Sequence, residues 1–374
     1  MMDQSFPAPT PRYSEALRFA EEQLAVPSRG GLREVWRRLA DFGFFRMPFL
    51  EEIGGVGLSP DELCDIFEGL GAGDADNGLL FAAGAHLWAV AKPLAGFGSA
   101  GQKERWLQPL LEGTIIGAHA ASEPEAGSDV MSMTSRYTQV DGGYVLNGVK
   151  VFVTNAPLAD LFVVFATCDP RLHFRGITAF LLERSNPGLR VGPAEEKMGL
   201  QSACLAAIYL DNCFVPTEAL LGRERRGARI FQTTLAWERT FIQAHQVGVM
   251  RRQIGRVSAH ARERRQFGSS IAKFQSVSNR IVEMYVRYWQ ARLILRMAAA
   301  ELMQRGDSRF AAMVKLVLAE SALATHLEAL RTFGGSGYMC EMGIEREVRD
   351  SIGGVLYSGT SDVQRNIIAA DLGL

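Results

Sequence analysis

Four segments combine residue types able to hold an anion or a flat ring with a polar edge. The first is Ala121-Ser122-Glu123-Pro124-Glu125-Ala126-Gly127-Ser128-Asp129. Small residues and Gly127 let main-chain N–H groups approach an anion, and Ser128 adds a hydroxyl donor. A plain Gly-Ser turn gives the same string. The second is Asn147-Gly148-Val149-Lys150-Val151-Phe152-Val153-Thr154-Asn155-Ala156. It reads as a turn, a strand and a Thr-Asn end. Phe152 and Thr154, two residues apart, share one strand face that could cover a flat ring and hydrogen-bond its edge. A strand packed on a neighbour accounts for it equally. The third is Arg264-Arg265-Gln266-Phe267-Gly268 with Ile271 and Phe274-Gln275. Arg264 suits a pyrophosphate, or a basic helix end before a Gly stop. The fourth runs from Phe333-Gly334-Gly335-Ser336-Gly337-Tyr338 through Glu345-Arg346 and Arg349-Asp350 to Tyr357-Ser358-Gly359-Thr360-Ser361-Asp362-Val363-Gln364-Arg365. Its glycine pair permits close backbone approach, and Thr360 or Ser361 can cap a last helix.

The elements that must position these segments fall into three parts: residues 1–117, 118–225 and 226–374. From Tyr13 to about Leu111 apolar residues recur at helical spacing, as in Val35, Leu39, Phe42 and Leu63, Phe67, Leu70. Glycines at 54, 55, 57, 69, 71 and 73 are expected to punctuate these helices. Strand-like runs follow at 149–153, 161–167, 178–182 and 205–210, with Asp141-Gly142 and Asn147-Gly148 as turn signals. Long helices then return, with stripes at Val247, Met250, Ile254, Val257; at Ile281, Met284, Tyr288, Ala291, Leu295; and at Leu316, Leu323, Leu327, Leu330. The expected architecture is mostly α with a central β domain.

Composition narrows the function. Of 374 residues 47% are hydrophobic and 22% charged, and Lys plus Arg (40) nearly equals Asp plus Glu (41). That balance argues against nucleic acid or a membrane as the main partner. The five cysteines are scattered with no CxxC pair, which disfavours disulfides and zinc and points to a reducing cytoplasm. The first residues show no apolar leader, and no run of about 18 apolar residues suggests a membrane helix.

The order of the motifs decides more than any one of them. EPEAGSD, LNGVKVFVTNAPLAD, KMGL, LAWER, RRQFGSSIAKFQ, GGSGY, ERxxRD and YSGTSDVQR in succession resemble the acyl-CoA dehydrogenase family, from about Trp36 to Leu374. The resemblance implies an N-terminal helical domain, a central β-barrel-like domain, a C-terminal four-helix domain, bound FAD and a homo-oligomer, tetramer or dimer. It places Ser122 at the flavin pyrimidine edge, Gly127 and Ser128 near the pyrophosphate, and Phe152 and Thr154 at the flavin ring, Phe152 standing where tryptophan is usual. It implies that Arg264, Phe267, Gln275, Gly334 and Gly335 reach the FAD of another subunit. Thr360 and Asp362 would touch the FAD ribose and phosphate region, and Arg239 and Gly359 the substrate.

One departure matters. Ser358 stands where most of the family has the glutamate that removes the substrate's α proton, and serine cannot do this without a base of its own. A subset resembling isovaleryl-CoA and long-chain dehydrogenases supplies the carboxylate from a Leu-x-x-Glu-Arg string. Leu235-Ala236-Trp237-Glu238-Arg239 matches it, so Glu238 is the expected base. The main-chain N–H of Ser358 is expected to hold the thioester oxygen, its side chain counting for little. The expected reaction is FAD-dependent α,β-dehydrogenation of an acyl or aminoacyl thioester, with an electron-acceptor flavoprotein as partner.

After Lys197-Met198-Gly199-Leu200, residues Gln201, Ala203 and Leu205 replace polar residues that help hold CoA in the family. Arg223, Arg225, Arg226 and Arg229 form a basic string, either a solvated face or a landing for an acidic acyl or peptidyl carrier protein. A carrier-bound thioester is therefore placed ahead of free acyl-CoA. A flavin oxidase or monooxygenase resembling nitroalkane oxidase, and a repurposed noncatalytic homologue, are the alternatives.

Overall fold

The structure, a computed structural model, describes residues 6–24 and 31–374. Met1–Ser5, part of the stretch read as lacking a leader, lies outside the described residues. The first part contains helices α1 (Pro11–Gln23), α2 (Leu32–Asp41), α3 (Pro60–Ala72), α4 (Asn77–Phe97) and α5 (100–111). Their starts follow local chemistry. Thr10 caps α1 ahead of a proline, Ser59 and Glu62 form a reciprocal capping box on α3, and Asp76 caps α4.

Two sequence expectations change here. Gly69 and Gly71 lie inside α3, and Gly73 is its cap rather than a loop. They are contact points: a side chain at Gly69 would strike the Tyr13 carbonyl, and one at Gly71 the His245 carbonyl. Glycine there lets helices cross backbone to backbone. The second change is α4, which is long and apolar enough to cross a membrane, with mean hydropathy 1.3 over its window. However, 83% of that window is buried inside the protein, with Trp88 stacked 4.9 Å from Phe241. Its apolarity serves the core.

The β unit holds β1 (Gly117–Ala120), β2 (Arg136–Val140), β3 (Gly143–Thr154), β4 (Leu161–Thr167), β5 (Ile177–Glu183), β6 (Leu189–Val191), β7 (Leu205–Pro216) and β8 (Leu220–Leu221). They form one mixed sheet in the order β6-β7-β3-β2-β4-β5-β8, with β1 parallel to β4. β4 coincides with the expected run at 161–167, and every residue of it is buried. Leu161, Val163 and Phe165 join the core shared with the helices, whereas Phe162, Val164 and Ala166 join a core inside the sheet with Tyr137, Tyr144 and Phe180. A continuous apolar run is what a strand covered on both faces requires.

The last part contains α6 (Gly227–Phe241), α7 (Gln246–Glu263), α8 (Gln275–Arg305), α9 (Ala311–Phe333), α10 (Ile344–Gly354) and α11 (Ser361–Asp371). The stripe Val247, Met250, Ile254, Val257 is buried as expected, as are Met284, Tyr288, Ala291 and Leu295. The α9 stripe is not. Leu316, Leu323, Leu327 and Leu330 are half-buried, and the deep face carries Val314, Lys315, Leu318, Ala322, His326 and Ala329. Small and polar residues mark that face because α9 packs closely against α7, α8, α10 and α11 at once.

Candidate active site

A cavity of about 1550 Å³ opens between the β unit and the last helices. Ser122, Gly127, Ser128, Phe152 and Thr154 line it from the sheet side, Glu238 and Arg239 from α6, and Ser358, Gly359 and Thr360 from the turn before α11. Segments up to 238 positions apart in sequence therefore meet at one wall.

Glu238 sits deep in α6 and keeps some accessible surface because it faces the cavity. The Ser358 hydroxyl donates to its Oε1 at 2.5 Å. Burial pushes the Glu238 carboxyl above the ordinary range, while Ser358, the Arg239 guanidinium and the Lys315 ammonium pull it back in part. The turn carrying Ser358 is fixed through its carbonyls. Arg239 Nε donates to the Ser358 oxygen at 3.4 Å, and Gln364 Nε2 to those of Ser358 and Gly359 at 3.2 and 2.9 Å. Ser358 (φ +55°) and Gly359 (φ +86°) are left-handed, and a side chain at 359 would strike the Gln364 amide. The Ser358 N–H has no acceptor among the described residues. Thr360 caps α11 through the Val363 N–H.

The sheet wall is equally constrained. β3 and β7 shift register between Lys150 and Val153, and the bulge holds Phe152 at φ +55° with its ring 66% exposed on the cavity wall. An aromatic residue held left-handed costs roughly 1–3 kcal/mol and persists where surroundings fix it. Lys150, beside it, is fully buried and donates to Glu123 at 2.7 Å and to the Ala121 carbonyl at 3.0 Å. Glu123 also accepts from the Thr134 and Ser135 N–H groups. Burial alone would raise Glu123, but Lys150 and these donors hold it near about 2, while burial lowers Lys150 to about 8. The pair is thus charged at neutral pH, and it clamps the segment bearing Ser122 to the strand bearing Phe152. On the third side, the Leu200 N–H donates to Asp350 at 2.5 Å, tying the Lys197–Leu200 loop to α10.

Six expected residues lie elsewhere. Arg264, Phe267, Gln275, Gly334, Gly335 and Asp362 are exposed and do not line the cavity. Phe267 is 95% exposed. The His260 and Phe333 rings stack at 4.2 Å, which brings the chain around Arg264 alongside Gly334.

Three family models match the chain: Acyl-CoA dehydrogenase, N-terminal domain, at residues 13–114; middle domain at 118–213; and C-terminal domain at 225–373. The chain belongs to the acyl-CoA dehydrogenase family. Among relatives of this family, it is 38% identical to an L-prolyl-[peptidyl-carrier protein] dehydrogenase of Serratia sp., covering 97% of this chain and 96% of that one. Among solved structures, it is similar to PigA with FAD and proline (TM-score 0.94, 37% identity, 99% and 98% of the chains). It is likewise similar to the prolyl acyl carrier protein oxidase AnaB (TM-score 0.94, 38% identity, 97% and 98%).

The acyl-CoA dehydrogenase family binds FAD, and the residues present fit it. The cavity exceeds the roughly 300–1,000 Å³ that one small ligand needs. An exposed aromatic face at Phe152 stands beside the Thr154 hydroxyl, with Ser122, Gly127 and Ser128 along the same wall. Sequence reasoning passed over two residues, one that lines the cavity and one whose charge acts on Glu238. Lys315 is fully buried, its Nζ has no hydrogen-bond partner among the described residues, and it lies 5.9 Å from the Tyr357 ring centre. His119 lines the cavity between Phe165 and Phe231, held neutral by burial, which lowers it to about 4. Nothing in the sequence marked Lys315 or His119.

Proposed function

We propose that this FAD-dependent enzyme takes a proton from Cα and a hydride from Cβ of a carrier-bound aminoacyl thioester, an L-prolyl group in first place. The observation that carries the reading is Glu238, a cavity-wall carboxylate hydrogen-bonded to Ser358, which occupies the usual base position. FAD, when bound, supplies the hydride acceptor. Phe152 and Thr154 would face its ring, Ser122 its edge, and Gly127, Ser128 and Thr360 its phosphate and ribose region. The Cα–H electron pair becomes the new C=C bond as the proton moves to Glu238. The Ser358 N–H donates to the thioester carbonyl oxygen as charge gathers there, an interaction of the kind worth about 2.7–4 kcal/mol. Arg239, bonded to the Ser358 carbonyl, keeps that N–H in place and faces the substrate together with Gly359.

Relatives named for prolyl carriers support the substrate class, as does the apolar wall of Ala203 and Leu205 where polar residues would grip CoA. The test is anaerobic mixing with L-prolyl thioester on a peptidyl carrier protein and with acyl-CoAs. Loss of the oxidised-flavin absorption with the carrier substrate is expected. No bleaching with either class overturns the reading.

The name of AnaB favours a second reading of the acceptor, in which oxygen replaces an electron-transfer flavoprotein. Hydrogen peroxide formed in step with product supports the oxidase; product only with an added acceptor supports the dehydrogenase. Arg264, Phe267, Gln275, Gly334, Gly335 and Asp362, off this cavity, suit the cofactor site of a neighbouring subunit. Light scattering should show a dimer or tetramer, and a fully flavinylated monomer excludes that role.

A further inference from the structure

The start of helix α6 carries an arginine surface that the chemistry above does not use. Arg226 precedes the helix, Arg229 follows in its first turn, and Gln232, Leu235 and Glu238 line the cavity. Nine helical steps lead from Arg229 to Glu238, about 13.5 Å of axial rise. A pantetheine arm laid along this helix spans from the surface to the base.

The surface extends across the neighbouring turn Pro170–Arg175. The Arg225 N–H donates to the Thr178 hydroxyl at 2.7 Å and its Nε to the Arg175 carbonyl at 3.2 Å, holding that turn against the start of α6. The same turn packs against Val130–Ser132, whose Val130 and Met131 line the cavity. Arg175, Arg223, Arg226 and Arg229 have no carboxylate within 4 Å among the described residues. The carboxylates nearby are otherwise engaged: Asp169 holds Arg171, Glu224 accepts from Tyr137, and Asp307 holds Arg309 on the opposite rim. Phe174, 55% exposed, adds an apolar contact beside Arg175. In a chain of net charge −1, these unpaired cations are concentrated on the turn and helix start next to segments that line the cavity.

We infer that Arg175, Arg223, Arg226, Arg229 and Phe174 form the docking surface for the carrier protein, receiving its acidic face and the phosphate at the root of its arm. This rests on the carrier-bound reading of the substrate. Exposed complementary charge acts chiefly on association, so its loss appears in KM and in salt dependence, not in the chemical step.

The test compares wild type with Arg226→Glu/Arg229→Glu and Arg175→Glu/Arg223→Glu. One aminoacyl group is offered on the carrier protein, on pantetheine and on CoA. For the carrier substrate KM is expected to rise about tenfold or more in both variants. The pantetheine thioester should keep its KM, all substrates their limiting rate, and both variants their FAD, which establishes folding. An unchanged carrier KM overturns the docking surface while leaving the carrier substrate standing. An equal loss on CoA and carrier thioesters overturns it too, assigning the arginines to a free nucleotide. Wild type that accepts CoA and pantetheine thioesters but rejects the carrier-bound one overturns the substrate reading itself.

Discussion

The Ser358 hydroxyl and the Glu238 carboxylate share a 2.5 Å hydrogen bond, joining the position where this family usually keeps its base to the carboxylate proposed to replace it. The side chain that sequence reasoning treated as a bystander is in contact with the proposed base.

Glu238→Gln keeps size and polarity but removes the proton acceptor. Flavin reduction under anaerobic conditions should slow by about 10² or more while FAD and substrate still bind. Stopped-flow absorbance checks this. Reduction at the wild-type rate moves the base elsewhere.

Ser358→Ala should displace the acid limb of the kcat/KM profile. Glu238 must be ionised to act, so activity rises as pH passes its value, which burial already raises. The hydroxyl favours the ionised form, and removing it raises the value further. The acid limb should therefore move to higher pH with the alkaline plateau largely kept. A uniform drop at all pH values would instead assign Ser358 to substrate positioning.

Lys315→Met should move the limb in the same direction, because the buried ammonium also favours ionised Glu238. Lys315 is itself lowered by burial to about 8. In wild type, losing its charge above that pH weakens its support for the carboxylate. Profiles of the two variants and the double variant, with thermal unfolding as the folding control, separate charge from packing.

The clamp between Glu123 and Lys150 should answer asymmetrically. Glu123→Ala strands a buried ammonium and two N–H donors, and should cost about 3–5 kcal/mol. Lys150→Met leaves Glu123 with its Thr134 and Ser135 partners and should cost distinctly less. Chemical denaturation measures both, and equal losses would contradict the ordering.

Much of this was legible in the sequence. The run 161–167 announced a strand, and the order of the motifs announced the fold. What escaped depends on contacts between distant segments. The bulge that turns Phe152 left-handed arises from its pairing with β7. The glycines of α3 looked like breaks because their partners, the carbonyls of Tyr13 and His245, are far away in sequence. Nothing in the sequence marked Lys315 and Lys150 as buried, since a lysine is rarely found without water. Only tertiary structure shows what surrounds them.

β4 has a consequence for how such a protein can be rearranged. Its residues Leu161, Val163 and Phe165 belong to the core shared with the helices, and Phe162, Val164 and Ala166 to the core inside the sheet. A fragment spanning only the sheet would turn Leu161, Val163 and Phe165 out to water. Grafting this middle segment between homologues must therefore preserve the helical surface that receives those three side chains. Recombination at its edges is limited by shape matching across that seam, however permissive the loops.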